Sequence, residues 1–119
     1  INETKEIEMK KDSSGKVKLA AIIKEKLDAQ LIETNGCTHL LQIQDVTPSA
    51  DGCEDCLKMD DDWLFLRLCL ICGYVGCCDN SKNKHATRHF HATGHPMIVS
   101  YEPEESWLWC YPDEAVIEL

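Results

Sequence analysis

No apolar run in this 119-residue chain approaches the length a helix needs to cross a bilayer. No signal-peptide pattern precedes the cysteines, and there are no internal repeats and no low-complexity tract. The expectation is a cytoplasmic chain with no membrane contact of its own. Positive charge is also scarce where it would matter. Residues 1–36 balance seven lysines against seven acids, whereas residues 37–119 hold five Lys/Arg against fourteen Asp/Glu and carry the whole net charge of −9. Without a Lys/Arg field there is nothing to contact phosphates, so no nucleic acid partner is expected. H-E-x-x-H and comparable motifs with a placed general base are missing, and the chain is not expected to be an enzyme.

What the chain has instead is metal-ligand chemistry. All eight cysteines lie after residue 36, with histidines interleaved among them. Cys53/Cys56 and Cys69/Cys72 are C-x2-C pairs, and Cys37/His39 is a C-x-H pair. A close pair lets one turn present two ligands to a tetrahedral ion. Paired spacing, interleaved histidines and the lack of a signal-peptide pattern before the cysteines in this sequence favour zinc over a disulfide framework. A domain this short has a small apolar core and needs such staples. Twelve candidate ligands are present: Cys37, His39, Cys53, Cys56, Cys69, Cys72, Cys77, His85, His89, His95, Cys110 and Asp113. Spacing alone does not pair the distant ones. His91, two residues past His89, points to another helix face and reads as a surface histidine. Cys78 has no partner and no basic neighbour in sequence to lower its pKa, so it reads as a plain cysteine.

Two parts are expected, an N-terminal segment over 1–36 and a finger domain over 37–119. In the first, residues 16–33 carry a broad apolar stripe (Val17, Leu19, Ala20, Ile23, Leu27, Leu31) and read as an amphipathic helix stopped by Asn35-Gly36. It would pack on the finger, on its own copy, or connect to an upstream domain. In the finger, 63–68 reads as a strand entering a zinc-knuckle turn at Cys69–Gly73. Asn80 and Ser81 are candidate caps of a helix running to Thr93, ended by Gly94 and Pro96. Strands are expected at 97–101, 106–111 and 115–119.

At this point the chain resembles a known family. C-T-H, C-E-D-C, C-L-I-C-G-Y-V-G-C, K-H-A-T-R-H-F-H-A-T-G-H-P and W-L-W-C-Y, in that order, are similar to the ubiquitin-binding (UBP or BUZ) zinc finger of deubiquitinases and one class of deacetylase. The resemblance covers residues 37–119 and is strongest to short prokaryotic members. It implies an α+β fold, a small twisted antiparallel sheet with one or two helices organised around up to three zinc ions. It also implies the ligand sets: Cys53, Cys56, Cys77 and His85; Cys69, Cys72, His89 and His95; and Cys37, His39, Cys110 and Asp113. In the last set Asp113 stands where the family usually has cysteine, keeping the C-x2-C spacing.

In ubiquitin-binding relatives an aromatic pocket takes a free Gly-Gly tail, and an arginine clamps its carboxylate. Trp107, Trp109 and Tyr111 alternate, so they share one strand face, with Leu108 and Cys110 on the other. The resemblance matches Trp109 and Tyr111 to the pocket rings, although such rings also serve simply to cover metal sites. The arginine position holds Asp79, and the large pocket tryptophan before Cys69 is replaced by Arg67. An aspartate there repels a carboxylate. The expectation is therefore a zinc-binding module for a peptide or protein C-terminus, possibly a ubiquitin-like one, with ubiquitin itself disfavoured. The alternatives are a zinc or thiol hydrolase and a structural or regulatory tail of a larger protein.

Overall fold

Short strands in the second half of the chain, some buried throughout and others alternating in burial, pair into a single sheet. The computed structural model describes residues 11–119. Its strands are β1 (Leu66–Cys69), β2 (Val75–Cys77), β3 (Met97–Ser100), β4 (Trp107–Cys110) and β5 (Ala115–Glu118). They lie in the order β2-β1-β3-β4-β5, and every neighbouring pair is antiparallel. The helices are α1 (Ala20–Asp28), α2 (Glu54–Lys58) and α3 (His85–Thr93), with a 3-10 turn at Leu40–Gln42. The fold is thus α+β, a five-stranded antiparallel sheet with a few helices.

Register decides which side chains meet. Leu68 pairs with Val99, Val99 with Leu108, and Leu108 with Ile117, and all four are fully buried. This row is the core face of the sheet. The opposite face is set by Ile98, Trp109 and Val116, which are also cross-strand partners.

α1 is shorter than the stripe over 16–33 predicted. Val17 leaves the helical path to form a bridge with Val46, through bonds of 2.7 and 3.0 Å in both directions. At the other end Gln30 adopts φ 58°. The amides of Gln30 and Leu31 turn back onto the carbonyls of Leu27 and Lys26 at 3.1 and 2.9 Å. This is a Schellman stop five residues before Asn35-Gly36. Val17, Leu19 and Ile23 join the same buried cluster as Leu40, Leu68 and Leu108. The described part of the N-terminal segment therefore packs on the finger. Residues 1–10 of that segment lie outside the described residues.

α3 begins four to five residues later than the candidate caps. Ser81 Oγ accepts from the Leu64 amide at 2.9 Å, and Asn83 is tied to Asp61 at 3.0 Å. These loop side chains hold the chain to its neighbours instead of capping. The helix starts only after Lys84, which has φ 49°. It ends at Gly94, φ 76°, as expected. α3 packs mainly on β2. There a Cβ on Gly76 would lie 2.7 Å from the Ala86 nitrogen, so this contact requires glycine.

Candidate metal centres and an aromatic cleft

The folded chain gathers the twelve predicted ligands into three groups of four. They are Cys53, Cys56, Cys77 and His85; Cys69, Cys72, His89 and His95; and Cys37, His39, Cys110 and Asp113. Within each group the ligand atoms all lie within 4.8 Å of one another. In the first, the N-terminus of α2 carries Cys53 and Cys56, β2 ends in Cys77, and the first residue of α3 is His85. In the second, the knuckle between β1 and β2 carries Cys69 and Cys72, and His89 sits one turn after His85 on α3. In the third, Cys110 ends β4, while Cys37 and His39 arrive from the segment after α1.

The spacings fit a tetrahedral zinc. With Zn–S of about 2.3 Å and Zn–N of about 2.0 Å, such an ion sets S···S near 3.8 Å and S···N near 3.5 Å. Cys56 and Cys77 sulfurs are 3.9 Å apart, and His85 Nδ1 lies 3.2, 3.4 and 3.7 Å from Cys53, Cys56 and Cys77. Cys69 is 3.6 Å from His95 Nδ1, and Cys72 is 3.3 Å from His89 Nε2. Cys110 lies 3.4 Å from His39 Nδ1 and 3.5 Å from Asp113 Oδ2. The Cys56–Cys77 separation is far beyond the ~2.05 Å of a disulfide, and all eight cysteines are free.

The electrostatics fit as well. Desolvation pushes the Cys53 and Cys110 thiols up to about 12 and Cys69 up to about 11. Buried sulfurs this close ionise readily only around a central cation. Amides already point at them: His85 N–H donates to Cys77 Sγ at 3.2 Å, His39 N–H to Cys37 Sγ at 3.4 Å, and Asn83 Nδ2 to Cys56 Sγ at 3.6 Å. Burial, with neighbouring His95, lowers the His89 pKa and favours the neutral imidazole a metal needs. Its ring stacks on Tyr74 at 4.3 Å, and the Tyr74 hydroxyl donates to Asp55 at 2.5 Å. Asp113 Oδ2 accepts from the Thr38 amide at 2.8 Å and the Thr38 hydroxyl at 2.9 Å, which lowers its pKa.

With this geometry in view, comparison with known proteins decides the family. The zinc fingers described as "Zn-finger in ubiquitin-hydrolases and other protein" match residues 53–118. The chain belongs to this family. It is therefore a zinc-binding module. It is 35% identical over 74 residues to mouse ubiquitin carboxyl-terminal hydrolase 45, covering 50% of this chain and 8% of that protein. It is 34% identical over 65 residues to the Dictyostelium discoideum NAD-dependent deacetylase sir2A, covering 55% of this chain and 11% of that one. The chain thus spans about a tenth of these relatives. The solution NMR structure of protein RPA1320 from Rhodopseudomonas palustris is similar at 60% identity and a TM-score of 0.67, over 73% of this chain and 85% of that one.

A cleft of about 250 Å³ opens on the sheet face opposite the core. Arg67, Asp79, Trp109 and Tyr111 all line it, together with Trp107 and Thr87, above a floor that includes Ile98 and Val116. Tyr111 stacks on Phe90 at 4.5 Å and meets the Trp109 ring edge-on at 6.3 Å. Sequence reasoning missed Thr87. Its hydroxyl donates to Asp79 Oδ1 at 2.5 Å and lies 3.4 Å from the Tyr111 hydroxyl, linking the helix to the strand face. A helical threonine two residues past His85 carries no signal of this role. Cys78 also lines the cleft and is buried. Burial raises its pKa, but hydrogen bonds with Ser81 and with the backbone of Phe65, Asn80 and Ser81 outweigh that and leave it lowered. A search for basic sequence neighbours misses such a cause. His91 is exposed on α3 and belongs to no ligand group.

Proposed function

We propose that this zinc finger is a non-catalytic receptor for a peptide segment of another protein, held in the Trp109–Tyr111 cleft and organised by three zinc ions. The observation that carries this reading is the cleft itself. It is walled by rings that remain partly exposed while the alternate residues Leu108 and Cys110 are buried. Rings serving only as core would be buried too.

Each ligand group supplies four donors, and a four-donor set leaves no open position of the kind catalytic zinc uses. This favours structural metal over hydrolysis. The family's ubiquitin-tail receptors clamp a carboxylate with arginine, and Asp79 stands in that place, so the reading disfavours ubiquitin's own tail. It also includes the domain extent 37–119, since Cys37 and His39 precede the matched segment, and a reducing, cytoplasmic setting that keeps the thiols free for metal. No helix among the described residues is long and apolar enough to cross a membrane.

The test is Trp109→Ala. Peptide binding measured by calorimetry should fall at least about 30-fold, corresponding to about 2 kcal/mol for a central aromatic contact. Zinc content and melting temperature should stay nearly unchanged. Unfolding of the variant would make Trp109 a core residue and remove the main support for this reading.

A further inference from the structure

Two charged side chains line the cleft, and the fold treats them differently. Arg67 is engaged. Its side chain is 14% exposed and lies 3.7 Å from Glu105, with Cζ 4.6 Å above the Trp107 ring. Its Nη1 donates to the Leu66 carbonyl at 3.0 Å and reaches Ser100 Oγ at 3.5 Å. Glu105 therefore compensates its charge, and its guanidinium is stacked rather than offered. Asp79 is exposed, and Thr87 occupies only its Oδ1. Asp79 Oδ2 accepts no hydrogen bond among the described residues. The charge the cleft offers to a ligand is therefore negative.

Trp109 and Tyr111, whose faces carry negative quadrupole potential, line the same cleft, and the Thr87 hydroxyl that donates to Asp79 lies 3.4 Å from the Tyr111 hydroxyl. A free carboxylate oxygen beside aromatic rings is the arrangement that holds an ammonium group, through a charge-assisted hydrogen bond and cation–π attraction. The surrounding domain, with fourteen acids against five Lys/Arg over residues 37–119, attracts the same sign of partner.

We propose that the cleft binds a primary ammonium group presented by a peptide, with Asp79 Oδ2 as acceptor and Trp109 and Tyr111 flanking the adjoining carbons. This rests on the peptide-receptor reading and specifies its ligand class. Two sources share this chemistry, a free N-terminal α-amine and a lysine side chain.

The zinc-loaded chain is immobilised and offered four pools of random hexapeptides. Pool one has free α-amines, no lysine and amidated C-termini. Pool two is N-acetylated, lysine-containing and amidated. Pool three is N-acetylated, lysine-free and amidated. Pool four is N-acetylated and lysine-free with free carboxylates. Mass spectrometry reads enrichment. The proposal expects pool one or pool two to be enriched about tenfold or more over pools three and four, the preferred pool naming the source. It also expects Asp79→Asn, which keeps an acceptor for Thr87, to remove most of that enrichment at unchanged zinc content. Enrichment of pool four over the others, or enrichment unchanged in Asp79→Asn, would overturn it. Binding that ignores both peptide ends and lysine yet disappears in Trp109→Ala would sink the ammonium ligand while leaving the peptide receptor standing. Absence of enrichment in every pool would sink both.

Discussion

At the scale of single residues, the backbone requires glycine where the Cys69/Cys72 turn passes close to another stretch of chain. Gly73 follows the Cys69/Cys72 knuckle with φ +88°, and a Cβ there would lie 2.3 Å from the Thr47 carbonyl oxygen. Its own carbonyl accepts from the Ser49 amide at 2.8 Å. Gly73→Ala therefore combines left-handed strain with a backbone clash. It should cost about 3 kcal/mol or more in urea denaturation with zinc present. A loss under about 1 kcal/mol would show that the knuckle yields easily. Residue identity is also the scale at which the sequence was most readable. Cysteine and histidine are uncommon residues with narrow chemistry, so their order and spacing already marked the residues that the fold gathers. Thr87 and Asn83 were not legible, because a hydroxyl or an amide has many uses and only the folded neighbours select one.

At the scale of elements, the apolar stripe over 16–33 gave the existence of α1 but not its ends, while Gly94 and Pro96 gave the C-terminal end of α3 but the candidate caps did not give its start. The stripe over 16–33 could not show that Val17 would pair with Val46, nor that Gln30 would accept φ 58° in place of the glycine usual at a helix stop. Asn80 and Ser81 are good caps by type, yet the loop before α3 is drawn toward Leu64, Asp61 and Cys56 instead. β2, only three residues long, is too short to show a period. The strands β4 and β5 came close to their expected positions because their alternation is sustained, and β3 because its short apolar run is bounded by Pro96 and the turn after Tyr101. α3 supplies an element-level test. His85 and His89 face the metal groups, one turn apart, while His91 is exposed. His91→Ala should leave zinc content intact and stability within about 0.5 kcal/mol. His89→Ala should release one zinc and lower the melting temperature markedly, as a lost structural ligand does. Equal behaviour of the two variants in a zinc-release assay would contradict the assigned helix face.

At the scale of the molecule, one small core is wrapped by three ligand groups. The buried row Leu68, Val99, Leu108 and Ile117 forms one side of the sheet, and Leu19 at the N-cap of α1 and Ile23 within it join the same buried cluster. The candidate ligand groups sit where the sheet gives way to loops, bringing α2, the knuckle, α3 and the segment after α1 to strand ends. A domain held this way depends on its ions as much as on its apolar contacts, since zinc binding and folding are one equilibrium in small zinc domains. The cleft inherits its shape from the same framework, because Tyr111 directly follows Cys110 and Asp79 lies two residues past Cys77. The most direct test of this account is the metal count of the folded chain by native mass spectrometry. It should return three zinc ions per chain, and a fully folded chain holding only one or two at saturating zinc would contradict it.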